Sequence, residues 1–169
     1  MLTGKKKVDN LVKAFHMLSL KYPNLQLKIG GDGNCKTELK QLVESLELTE
    51  KVFFLGALSR SEVLTHIKES DTFVLSSEYE TFGVVLIEAL AMGKTVVATR
   101  CGGPESIVNK DVGVLVEKNS IQALHDGMEY IYKRNDDFKP ELIKEYCNKN
   151  FSEEAVSNKL IAIYQHVLS

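Results

Sequence analysis

The chain predicts an α/β fold, a Rossmann-like doubly wound parallel sheet flanked by helices on both faces. Three observations predict it. Segments of helical periodicity alternate with short Val/Ile/Leu/Phe runs; those runs show little in-and-out alternation, as strands covered on both faces do; and glycine clusters stand at their carboxyl ends, where such sheets bind ligands. The βαβα order calls for parallel strands joined by right-handed crossovers. The 169 residues are expected to form one domain, 1–169, and 44% hydrophobic with 26% charged residues is ordinary globular composition.

Each element has its own signal. Val8, Leu11, Val12, Phe15 and Leu18 form a helical stripe, and Leu25–Gly30 reads as the strand that follows. Leu39, Leu42, Val43 and Leu46 form a second stripe before the strand Val52–Leu55. Ser59-x-x-Glu62 is a capping box opening a helix that turns Val63, Leu64 and Ile67 inward. Thr72–Ser77 reads as a buried strand and Ser77 to Thr81 as polar loop. A helix then opens at Phe82-Gly83 and runs to about Met92, where Gly93 stops it. Strands Thr95–Thr99 and Gly113–Val116 follow, then a helix with Ile121, Leu124, Met128 and Ile131, a short one after Pro140 and a last one capped by Ser152. No repeat, linker or low-complexity tract interrupts the unit.

The balance of charge narrows the function. A net charge of −2 provides no overall field for nucleic acid or an anionic membrane, so any recognition of phosphate has to be local. Three cysteines, Cys35, Cys101 and Cys147, are odd in number and lack metal-type spacing, which suits a reducing, cytoplasmic setting. No stretch reads as a signal peptide or membrane span. Gly31-x-Gly33 lacks the third glycine of a dinucleotide fingerprint, which argues against nicotinamide or flavin. There is no Asp-x-Asp motif, Asp136-Asp137 lies in a polar stretch between late helices, and no divalent metal is expected. His16, His66, His125 and His166 fall on helical segments without a matching motif and read as surface or packing residues.

The most informative stretch is Glu80-Thr-Phe-Gly-Val-Val-Leu-Ile-Glu88, with two carboxylates eight positions apart and the second the sole charge in an apolar run that reaches Met92. A carboxylate carried into a core costs several kcal/mol unless something binds it, and the nearby sequence offers Glu88 no partner. Glu80 sits in the loop at the strand's end, and Glu88 about 7 Å further along the helix at about 1.5 Å per residue. Between them the amides of Phe82, Gly83 and Val84 point out of a helix start, which attracts phosphate, and Gly83 permits close approach. An anionic ligand with hydroxyl groups at both ends, such as a nucleoside diphosphate sugar, matches these features.

Glu80-x-Phe82-Gly83-x-x-x-x-Glu88 resembles the paired-glutamate motif of retaining glycosyltransferases of the GT-B type, in particular glycosyltransferase family 4. The order of the other segments is similar too: Lys6-Lys7-Val8-Asp9 with Ala14-Phe15, Ile29-Gly-Gly-Asp-Gly33, Val52-Phe-Phe-Leu-Gly56, Glu88-Ala-Leu-Ala91, Val96-Val-Ala-Thr99 and Gly102-Gly103-Pro-Glu105. The resemblance covers nearly the whole chain and corresponds to the C-terminal, donor-binding half of a GT-B fold. It implies that Glu88 accepts hydrogen bonds from the ribose diol and that Glu80 holds a hydroxyl of the transferred sugar. The Phe82, Gly83 and Val84 amides would cradle the diphosphate, with Gly31 and Gly103 on the same rim, and the turn at Ala57 and Leu58 would meet the base. Lys6 falls where the family has a lysine that neutralises the leaving diphosphate, although a Lys5-Lys6-Lys7 run alone reads as a solvated helix entrance. Glu80 and Lys6 are thus the expected catalytic residues, acting on a UDP-, GDP- or ADP-sugar donor without a metal or other cofactor.

Two departures from the family pattern carry expectations. The family's domain begins with a strand ending in Gly-Arg, and here Met1 stands about where that arginine belongs. That strand is central, so without it a gap is expected between the strands at Leu25–Gly30 and Thr72–Ser77. The N-terminal, acceptor-binding domain is also absent, so the chain reads as a fragment that binds donor weakly and transfers little, with membrane association expected only through the absent domain. The rival readings are a noncatalytic nucleotide-sugar-binding subunit of a split transferase, a nucleotide-sugar epimerase half and a flavodoxin-like regulatory domain, the last of which leaves Glu88 unexplained.

Overall fold

A computed structural model describes residues 1–168, with side chains described through residue 165, so that of His166 lies outside the described residues. Five short parallel strands alternate with helices: β1 (Leu27–Gly30), β2 (Val52–Gly56), β3 (Thr72–Leu75), β4 (Thr95–Thr99) and β5 (Gly113–Val116). The helices are α1 (Val8–Lys21), α2 (Lys36–Ser45), α3 (Arg60–Glu69), α4 (Val84–Ala91), α5 (Ile121–Lys133), α6 (Pro140–Phe151) and α7 (Glu153–Leu168). The expected strands all form, with the first and third two residues shorter, at the start of Leu25–Gly30 and the end of Thr72–Ser77.

Both faces of the strands are covered. In β4, buried from end to end, Val96 and Ala98 join Leu75, Leu86, Leu90, Ile107 and Ile143, whereas Val97 joins Leu11, Leu18, Leu124 and Ile131. So α4 and α6 lie on one face and α1 and α5 on the other. A third cluster packs Val12 and Phe15 of α1 with Leu39 and Val43 of α2 against Ile29 and Val52. Burial at this scale contributes roughly 1.5–3 kcal/mol per large side chain. The capping box forms as read, with Glu62 accepting from the Ser59 amide at 2.8 Å, and the Ser152 hydroxyl accepts from the Ala155 amide at 3.1 Å at the start of α7. Beyond α6, α7 leaves Val156, Leu160, Ile163 and Tyr164 exposed.

The strands do not form one continuous sheet. β1 pairs with β2 in one sheet, and β3, β4 and β5 form another in that order, so no ladder joins β1 to β3. The seam falls where the sequence places a gap. Its cost shows in burial: Thr72, Phe73 and Val74 of β3 are only partly covered, unlike the fully buried β4 beside them. Two features hold the halves together. Helix α1 contributes to the clusters under both sheets. Residues 2–6 cross over the carboxyl ends: the Leu2 amide donates to the Asp32 carbonyl at 2.8 Å after β1, and the Glu78 amide donates to the Lys5 carbonyl at 2.8 Å after β3.

Candidate donor-binding site

The loops that follow the strands meet on this rim. Glu80 follows β3, the turn Cys101–Gly103 follows β4, and a 3₁₀ turn (Gly4–Lys6) arrives from the N-terminus. The Ser76 hydroxyl donates to the Lys6 carbonyl at 2.8 Å and fixes that turn beside β3. Lys7, with φ 48°, reverses the chain into α1. As a result the Lys6 ammonium reaches Glu80, with Nζ 2.7 Å from Oε2 and side chains 38% and 20% exposed. Lys6 is thus partly solvated and paired with Glu80, while Lys7 lies 3.5 Å from Glu78. Glu78 lies below the usual carboxylate range because Asn119 donates to it and Lys7 stands nearby.

Glu80 is also held by its backbone. Its amide donates to the Cys101 carbonyl at 3.1 Å and its carbonyl accepts from the Gly103 amide at 2.7 Å. Glycine is required at both positions of the facing turn. A Cβ on Gly102 would stand 2.9 Å from the Glu80 carbonyl oxygen, and one on Gly103 would run into the Phe82 backbone. Gly103 thus supports the backbone of the motif from below.

Helix α4 starts two residues later than expected, at Val84, with Gly83 as its N-cap at φ 92° and Phe82 outside it. Among the described residues the amides of Phe82, Gly83 and Val84 have no acceptor, the state of a helix start open to an anion. Phe82 and Val84 are 47% and 56% exposed, so this helix start faces outward rather than into the core. At the other end Gly93 takes φ 73° and terminates the helix as read.

Glu88 differs from expectation. It is not a partnerless carboxylate in the core: its side chain is 19% exposed, and Arg60 Nε stands 3.4 Å from Oε1. The pattern hid this partner because Arg60 is distant in sequence, at the first position of α3, beside the turn Gly56–Ser59. That guanidinium is itself 81% exposed, so the pair opens to solvent at the rim rather than sealing Glu88 away.

The remaining expected residues lie along the same strand ends. Gly31, at φ 119°, donates its amide to the Gly56 carbonyl at 2.7 Å and lies against Met1 and Leu2. Gly33 touches the Leu2 backbone, so this glycine cluster seats the N-terminal segment. Ala57 is exposed, while Leu58 packs on Gly30. Hollows of about 490 and 300 Å³ lie elsewhere, between α6 and α7 and between the Gly4 turn and α2, and neither is lined by Glu80 or Glu88. No group of His, Cys, Asp and Glu among the described residues has the arrangement of a metal site. Glu105, which the sequence shows in the Gly102-Gly103-Pro-Glu105 segment without assigning it a role, has a carboxylate that accepts from the Cys101 and Gly102 amides at 3.2 and 3.0 Å.

A parallel α/β scaffold with its loops gathered at the strand carboxyl ends places this rim where sheets of that class bind ligands. The match to the family model for glycosyl transferases group 1 spans residues 1–150, and the chain belongs to that family. It is 30% identical to an uncharacterized glycosyltransferase of Haemophilus influenzae over 99% of its length and 46% of the relative's. It is 32% identical to N-acetyl-alpha-D-glucosaminyl L-malate synthase of Bacillus anthracis, covering 96% of the chain and 43% of that enzyme. The chain thus spans less than half the length of these relatives. Among solved structures, a glycosyltransferase from Rickettsia africae superposes with a TM-score of 0.84 at 30% identity, over 99% of this chain and 46% of that one. Anabaena HepE, solved with UDP, superposes equally well with a TM-score of 0.84 at 22% identity, over 98% and 46%, and shows the shared fold.

Proposed function

We propose that this domain binds the nucleoside diphosphate sugar donor of a retaining, family 4 type glycosyltransferase that transfers a hexose-type sugar to a glycan, glycolipid or small-molecule acceptor. The observation that carries this reading is the 2.7 Å Lys6–Glu80 contact beside a helix start with three unclaimed amides. A cation, an acceptor and a set of N–H donors then face one small region, which suits a diphosphate joined to a polyhydroxylated ring.

In this reading the Phe82, Gly83 and Val84 amides and the Lys6 ammonium bind the diphosphate, Glu80 accepts from a sugar hydroxyl, and Glu88 accepts from the ribose diol. Gly31 and Gly103 shape the rim, and the turn at Ala57 and Leu58 meets the base. Transfer breaks the bond between the anomeric carbon and the phosphate oxygen, so positive charge develops on the sugar and negative charge on the departing diphosphate. Donors already aimed at that oxygen stabilise the transition state more than the ground state. Lys6 has to relax from Glu80 as the phosphate arrives, and Arg60 has to swing off Glu88 as the ribose arrives. Both side chains reach solvent, which keeps the cost of these movements small.

The exposure of Phe82, Val84 and Arg60 at the rim supports a further part of the proposal: donor binding by this domain alone is weak and transfer negligible, a second wall being supplied by an acceptor-binding domain of the whole enzyme, as would any membrane association. The reading includes no metal. Calorimetric titration with UDP-, GDP- and ADP-sugars tests it. One donor is expected to bind, and Glu88→Ala to bind it about tenfold or more weakly, the worth of one charge-assisted hydrogen bond. Equal binding by the variant overturns the ribose assignment, and binding of none of the donors by the parent chain overturns the reading.

A further inference from the structure

We infer that Glu105 is a positioning residue that sets the place of Glu80, and through it the preference for the sugar part of the donor; the inference rests on the donor-binding reading above. Glu105 stands in the short 3₁₀ turn Gly103–Ser106 after β4 and is exposed, so its contacts are not a by-product of core packing. Both carboxylate oxygens are used. Oε2 accepts from the Cys101 amide at 3.2 Å and the Gly102 amide at 3.0 Å, and Oε1 accepts from the Gly102 amide at 3.2 Å.

Those amides belong to the turn that carries Glu80. Gly102 adopts φ 117° and ψ −97°, a conformation open to glycine and avoided by other L-residues, and one among several that a glycine backbone can take. Glu105 holds it by accepting from the amide of that same residue. The carbonyl of Cys101 and the amide of Gly103, on either side, make the two backbone bonds to Glu80, at 3.1 and 2.7 Å. The linkage therefore runs from the Glu105 carboxylate through three residues of turn to the Glu80 backbone, with Gly103 also in contact with the Phe82 carbonyl. On its other side Glu80 is met by Lys6. Burial raises the Cys101 thiol above its ordinary range, and the negative charges of Glu105 and Glu80 push the same way.

Charge matters in this arrangement. A carboxylate accepts from several amides at once, whereas an amide side chain has one acceptor oxygen and an alanine has none. Loss of the clamp frees the turn and lets Glu80 drift from the place where it meets a sugar hydroxyl. Gly83 and Val84, which the reading above places on the diphosphate, make no backbone hydrogen bond to that turn.

Two readouts test this, on the parent chain, Glu105→Ala and Glu105→Gln. The first needs no ligand. Amide hydrogen exchange is expected to accelerate at Glu80 and Gly103 in Glu105→Ala, less so in Glu105→Gln, while β4 amides at Val96 and Val97 keep the parent rate. Unchanged protection at Glu80 and Gly103 overturns the inference whatever the ligand data show. The second compares the nucleoside diphosphate sugar that the parent binds with the corresponding nucleoside diphosphate. Glu105→Ala is expected to lose about tenfold in affinity for the sugar nucleotide, one charge-assisted bond's worth, and less than about threefold for the diphosphate, a small surface effect. Glu105→Gln should fall between parent and alanine variant. Equal losses for both ligands, or no loss for either, overturn the inference. Should Glu105→Ala fail to fold, Glu105→Gln decides by the same ratio. A parent that binds neither ligand refutes the donor-binding reading instead, leaving the exchange measurement to judge the clamp.

Discussion

Glu88 shows how a single side chain can be read correctly in kind and wrongly in detail. Its apolar neighbours in sequence imply a demand for a partner, and a partner is present, but it is Arg60 from the next strand-end loop. Contacts between residues far apart in the chain leave no trace in local spacing, which is why Arg60 was invisible and Lys6 was singled out through family resemblance, whereas Glu105 bonds to amides three and four residues before it and was quoted with its segment but given no role. Arg60 has a testable consequence. Because it is 81% exposed, the ion pair is screened and contributes at most about 1 kcal/mol. Arg60→Ala is expected to melt within a few degrees of the parent while binding the nucleotide as tightly or more tightly, since ribose no longer competes with a guanidinium for Glu88. A thermal melt paired with a calorimetric titration checks both halves. Weaker nucleotide binding would make Arg60 a ligand contact rather than a competitor.

At the scale of elements, the periodicity of buried residues identified all five strands and the helices around them, because both faces are covered and short apolar runs survive as strands only in that setting. Boundaries were less legible: α4 begins at Val84 because Gly83 is spent on a left-handed cap. One inter-element contact escaped notice. Glu129 of α5 lies 2.6 Å from Lys21 at the end of α1, accepts from the Tyr22 hydroxyl at 3.0 Å and pairs with Lys133 within its own helix at 3.1 Å. The hydrogen bond from Lys21, followed by that from Lys133, pulls its carboxyl from the ordinary 4.5 down to about 2. A carboxyl with a depressed folded pKa binds protons more readily when unfolded, so its stabilising share is complete above about pH 4.5 and disappears as the pH falls toward 2. Urea titrations at pH values across that window should show Glu129→Gln losing less stability with acidification than the parent. Parallel acid profiles for the two proteins would contradict the linkage of α1 to α5 through this acid.

For the molecule as a whole, the sequence made the seam between β1 and β3 readable through comparison with a family pattern, and the two separate sheets agree with it. What no pattern disclosed was how the halves stay together, since that depends on α1 reaching under both and on the first residues crossing above. Strand edges along the seam lack ladder partners. Hydrogen exchange is expected to be about tenfold or more faster for the seam-facing amides of β1 and β3 than for β4, which is paired on both sides. Equal protection in β3 and β4 would mean that the seam is closed in solution.

Residues 2–6 span that seam, and the last of them delivers the ammonium to Glu80. Mechanical cohesion and chemistry therefore share one short strap. A ligand that grips Lys6 and the α4 amides together would splint the two half-sheets, and slack between the halves would be felt first as misplacement of the ammonium.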